Sequence, residues 1–121
     1  MGEFKDSAKI FLKDARKDLT NRRYASCVIH THLVIEHTLK ALLSKKHVGV
    51  KFKAIPDLAQ EALKLDLINQ NTSKHILSIN SLRNKVYHEG YIPRAHEAEN
   101  ALQIAEKCFQ IVSQVKTNKI T

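Results

Sequence analysis

Residues 24–46 read Tyr24-Ala25-Ser26-Cys27-Val28-Ile29-His30-Thr31-His32-Leu33-Val34-Ile35-Glu36-His37-Thr38-Leu39-Lys40-Ala41-Leu42-Leu43-Ser44-Lys45-Lys46, and they decide the fold. Tyr24, Val28, Ile35, Leu39 and Leu42 recur at helical spacing, and Ala25, Val34, Ala41 and Leu43 widen the stripe. A helix from Arg22 or Tyr24 to Lys46 would be about 36 Å long. Apolar over much of its circumference, it must be wrapped by other helices, so it is the expected centre. Glu36 and Lys40, four apart, form a favourable helical pair.

On the N-terminal side, Phe4, Ala8, Phe11, Leu12, Ala15 and Leu19 mark a first helix, capped by Asp6 or Ser7 and ending near Asn21. The segment 45–53 carries Lys45, Lys46, His47, Lys51 and Lys53 around Gly49, a basic connection that is either a solvated loop or a phosphate-backbone contact. Pro56 opens a short third helix through Leu65. After a polar bend with Leu67 and Ile68 tucked inward, a fourth helix starts near Asn71, Thr72 or Ser73, follows Ile76, Ile79, Leu82 and Val86, and stops at Gly90 and Pro93. A fifth, from Arg94 to Lys116, presents Ala95, Ala98, Ala101, Leu102, Ala105, Phe109, Val112 and Val115. Its alanines permit close helix approach, and Thr117–Thr121 should fray. The fold class is therefore all-α: a four- to five-helix bundle with two long antiparallel helices and a short third one. Residues 1–121 form one expected domain, with its core at about 7–116.

With 20 Lys and Arg against 12 Asp and Glu, the formal net charge is +8. That balance favours a polyanionic partner such as RNA or a nucleotide. No stretch is long and apolar enough for a membrane span, and Met1-Gly2-Glu3-Phe4-Lys5-Asp6 lacks the apolar core of a signal peptide, so a cytoplasmic chain is expected. Cys27 and Cys108 sit in separate apolar patterns and read as buried free thiols. The seven histidines lack the spacing of a ligand set, and read as solvent-facing or interface residues; no cofactor or metal is expected. A helix-turn-helix reading is weak, because the fourth helix is not basic before Arg83.

The chemistry falls on Leu82-Arg83-Asn84-Lys85-Val86-Tyr87-His88-Glu89-Gly90-Tyr91. Asn80, Arg83, Asn84, Tyr87 and His88 form a polar set opposite the apolar stripe. Arginine holds a phosphate in a bidentate fork and steadies the charge that grows on it. Histidine takes a proton from a ribose 2′-OH or gives one to a leaving oxygen, and neither step needs a metal. On an ideal helix, residues five apart point about 140° from each other, whereas Asn84 and His88 share a side. The residues alone leave two readings open: an Arg–Asn–His phosphodiester site, or a surface arginine and a helix-end histidine favoured by the helix dipole.

Two segments together resemble the HEPN domain family. One is Leu82 to Pro93 followed by Glu97-Ala98-Glu99-Asn100-Ala101-Leu102. The other is Tyr24-Ala25-Ser26-Cys27 leading into Val34 to Leu43. Arg83, Asn84 and His88 match the family's Arg, polar residue, His motif, and Glu36 and Lys40 match its helix-two signature. The resemblance implies a twofold homodimer with both motifs facing one cleft, and metal-independent RNA cleavage leaving a 2′,3′-cyclic phosphate. Arg83, His88 and Asn84 are then the candidate catalytic residues. Lys85, Tyr87, Tyr91, Glu36 and Lys40 are the candidate nucleotide- or RNA-binding ones. Some members are toxins silenced by a minimal nucleotidyltransferase antitoxin, and others only bind RNA or nucleotides, so a non-catalytic subunit beside such an enzyme is the alternative. In some toxins a tyrosine two residues after the histidine is modified by the antitoxin; here that place is Gly90, and the tyrosine is Tyr91.

Overall fold

Five apolar stripes at helical spacing need one another for burial, and the chain resolves them as five helices. A computed structural model describes the backbone of residues 2–51 and 53–120, and side chains up to 114. The helices are α1 (Gly2–Thr20), α2 (Tyr24–Lys45), α3 (Ile55–Lys64), α4 (Gln70–Glu89) and α5 (Ala95–Ile120). No strand occurs among the described residues. The fold is an all-α helical bundle.

Helix α2 is central: α1, α3, α4 and α5 all pack on it. Its Cys27, Val28, Val34, Ile35, Leu39, Leu42 and Leu43 are buried. All but Leu42 share one core cluster with Leu12 and Ala15 of α1, Leu58 and Ala62 of α3, Ile76 and Ile79 of α4, and Ala98, Ala101 and Ala105 of α5; Leu42 clusters with Val112 of α5. The alanines do bring α5 close: Cys27 Sγ lies 3.9 Å from the Ala98 carbonyl oxygen. Cys27 and Cys108 are buried free thiols. Burial, with the nearby Asp18 charge adding to it, pushes the Cys27 thiol up to about 11; burial alone pushes Cys108 up to about 12.

Several expected boundaries move. Helix α1 begins at Gly2, ahead of the Asp6 and Ser7 caps, because Phe4 already has a packing partner: its ring meets the edge of His37 at 6.0 Å. Helix α4 is capped by Asn69, not by Asn71, Thr72 or Ser73. The Asn69 side-chain oxygen accepts from the Thr72 backbone N–H at 2.8 Å. Leu65 caps α3 instead of extending it, and lies exposed. Helix α5 continues past Lys116 to Ile120, with no glycine or proline beyond Pro93 to stop it. The Val115 side chain and Thr121 lie outside the described residues.

The α1–α2 turn is set by a hub the sequence did not single out. Arg22 takes a left-handed conformation, φ 59°. The Asp18 carboxylate is buried behind it and accepts from Ser26 Oγ at 2.7 Å, His30 Nδ1 at 2.6 Å and Arg23 Nε at 3.2 Å. Burial pushes its pKa up, but the bonds from Ser26, His30 and Arg23 outweigh that, and it lies below the ordinary carboxylate value. His30 is thus half-buried and stacked on Phe11, not a solvent-facing residue.

At the same end of the bundle, Gly90 closes α4 in the left-handed conformation, φ 68°, and the Tyr91 N–H bonds the Lys85 carbonyl at 3.1 Å. Pro93 is buried, and Glu97 reaches back to the Arg94 N–H at 2.9 Å, capping α5. This turn places the last two turns of α4 beside the start of α5.

Candidate functional site

The expected polar set of α4 divides into two groups. Asn80 and Arg83 follow Ile76 by four and seven residues, so they share its side of the helix and face α2. Both are half-buried, not opposite the apolar stripe as expected. Asn84, Tyr87 and His88 are exposed.

Behind Arg83 lies a residue missed as a site candidate. His32, on α2, is buried, which corrects the solvent-facing reading. Its Nε2 lies 3.0 Å from Asn80 Oδ1, and that oxygen only accepts, so Nε2 carries the proton. Burial pushes the His32 pKa down; the Asn80 bond opposes this, and the Arg83 charge adds to it. A neutral His32 therefore lines the inner side of the arginine.

On the outer side, Arg83 Nη1 donates to Asn84 Oδ1 at 3.3 Å, and the Arg83 guanidinium carbon stands 4.4 Å from the Tyr87 ring centroid. The same ring meets His88 edge-on, with centroids 5.1 Å apart. Tyr87 is 64% exposed, so it is a platform and not a core residue. Arg83 and His88 are thus joined through one phenol ring; no hydrogen bond links them directly.

Lys85 Nζ lies 5.8 Å from the Tyr91 ring centroid, and the Tyr91 hydroxyl donates to Glu97 Oε1 at 2.7 Å. That bond pushes the phenol pKa up. The Arg94 N–H first, then the phenol, hold the Glu97 carboxyl down. Next to this turn Ile92 is 81% exposed. Glu36 and Lys40 pair at 3.0 Å, with the Lys40 ammonium 6.0 Å from the Phe4 ring. That pair is directed toward α1. No hydrogen bond or ring contact brings it to Arg83, Asn84 or His88 among the described residues.

A family model described as HEPN domain matches residues 1–115. The chain belongs to the HEPN family. No curated relative and no solved structure matches it. The HEPN family is in general of a nuclease and RNA-binding type, and its domains often bind RNA and dimerise. Among the described residues of this HEPN chain, no helix is long and apolar enough to cross a membrane. No three His, Cys, Asp or Glu residues there gather as a metal site.

Proposed function

We propose that the protein is a metal-independent endoribonuclease of the HEPN toxin type, cutting RNA at a cleft between two copies of the chain. One observation carries the reading: Arg83, Asn84, Tyr87 and His88 form a connected, solvent-accessible group at the end of α4. Arg83, steadied by Asn84 and Tyr87, holds the scissile phosphate. The ribose 2′-OH attacks phosphorus, the bond to the 5′ oxygen breaks, and a 2′,3′-cyclic phosphate and a 5′-OH result. His88 takes the 2′-OH proton or supplies the one the leaving oxygen needs. Two motifs in one cleft would provide one histidine for each transfer. A minimal nucleotidyltransferase is the partner class that would hold such a toxin in check.

Cleavage of total RNA and of a tRNA pool in excess EDTA tests this. Wild type should cut, and His88→Ala and Arg83→Ala should each be slower by about a hundredfold or more. RNA methylated at the 2′ oxygen should bind and stay intact. Cutting by His88→Ala at the wild-type rate would overturn the assignment.

The second reading is a non-catalytic RNA- or nucleotide-binding subunit beside a nucleotidyltransferase. The missing direct bond between Arg83 and His88 favours it. Binding without cleavage by wild type would select it.

A further inference from the structure

Helices α4 and α5 meet over a short stretch only, and a groove of about 350 Å³ opens between them. Ser78, Ser81 and Lys85 line it from α4, three and four residues apart, so they form one stripe. His96 and Asn100, four apart, line it from α5. The floor is Ile79 and Leu82, an apolar strip between polar walls. Glu97 stands at the rim with one carboxylate oxygen already taken by the Tyr91 hydroxyl and the Arg94 N–H.

The groove runs along the side of α4 that ends at His88, while Arg83 emerges about 160° away from Lys85, on the α2 side. Lys85 precedes His88 by three residues and Ser81 precedes it by seven, so all three lie along one side of α4. A strand that crosses the end of α4 from Arg83 past His88 meets this groove on the far side. The walls suit one class of guest. The half-buried Leu82, with the buried Ile79 beneath it, offers apolar surface to the face of a base; an amide and a hydroxyl meet its polar edge, and an ammonium meets phosphate.

We propose that the α4–α5 groove is a nucleoside subsite for the RNA nucleotide next to the scissile phosphate. The base lies on Ile79 and Leu82, its edge meets Asn100 and Ser81, and Lys85 holds its phosphate. The position beside a scissile bond rests on the ribonuclease reading; binding of a nucleotide in the groove does not.

Two measurements separate the two. First, the four ribonucleoside 5′-monophosphates are titrated into the full chain and followed by amide NMR. At least one should shift Ser81, Lys85 and Asn100, and Asn100→Leu, an exposed position, should weaken that binding at least about fivefold. No shift at these amides with any of the four, or unchanged affinity in Asn100→Leu, overturns the subsite. Second, the bases flanking each cut in total RNA are compared between wild type and Asn100→Leu. A base preference that flattens in the variant supports the subsite. Cutting with an unchanged preference overturns it and leaves the ribonuclease standing. Groove binding by a wild type that cuts nothing supports the subsite and removes the ribonuclease.

Discussion

His32 and Asn80 are bonded across the α2–α4 interface at 3.0 Å, and that bond fixes the side of α4 from which Arg83 emerges. His32→Ala removes the donor and leaves a buried amide oxygen without it. The expected cost is about 2 kcal/mol of folding stability, read as a lower urea midpoint. RNA affinity should fall with it, since Arg83 loses its inner wall. An unchanged midpoint would show that the bond does not form in solution.

The same histidine makes stability depend on pH in a defined direction. His32 and His37 both have pKa values lowered by burial from the ordinary 6.5. The unfolded chain then takes up protons first as pH falls. Their contribution is fully present above pH 6.5 and declines below it. Unfolding in urea at pH 7.5 and 5.5 should show the loss, and His32→Gln should reduce its size. A variant with the wild-type pH slope would assign the effect to other groups.

Asp18 is the second hub. Its lowered pKa gives stability that is present above 3.8 and is lost as pH falls through the folded value. Asp18→Ala strands Ser26 and His30 together, and about 2–3 kcal/mol should be lost. Arg23→Ala should cost under about 0.5 kcal/mol, because that side chain is 56% exposed. Equal effects of the two changes would contradict the geometry.

Gly90 has no atom within 4 Å of where a Cβ would stand, so only its left-handed backbone resists substitution. Gly90→Ala should cost about 1 kcal/mol, and Gly90→Asn less. Calorimetric melting of the three proteins gives the order.

Binding of RNA methylated at its 2′ oxygens should weaken linearly with log salt. Arg83→Ala and Lys85→Ala should each lower the slope by about 0.7. A salt-independent affinity would argue against phosphate contacts altogether.

Much of this was legible in the chain itself. The α2 stripe from Val28 to Leu43 marked the centre, because burial on nearly all sides leaves few polar positions. Gly90 and Pro93 marked the end of α4, and the alanines of α5 its close approach. Legibility failed where the partner is remote or the candidates are many. Asn69 was one of four capping residues within five positions, and propensity does not rank them finely. The burial of His32 depends on Asn80, 48 residues away, and no local spacing reveals that. The hub at Asp18 forms only once the Arg22 turn folds α2 back on α1. Arg83 and His88 were recognisable as a pair by motif and Tyr87 as a member of their polar set; that its ring stands between them depends on side-chain rotamers, which spacing does not give.

The two thiols have a practical consequence. Held at about 11 and 12 inside the bundle, Cys27 and Cys108 stay protonated at neutral pH and resist alkylation. A cysteine placed on the exposed side of α4, at Lys74 for instance, would then take a maleimide dye or spin label alone. Distances between two labelled copies could be measured in the otherwise native protein, without first removing either thiol from the core.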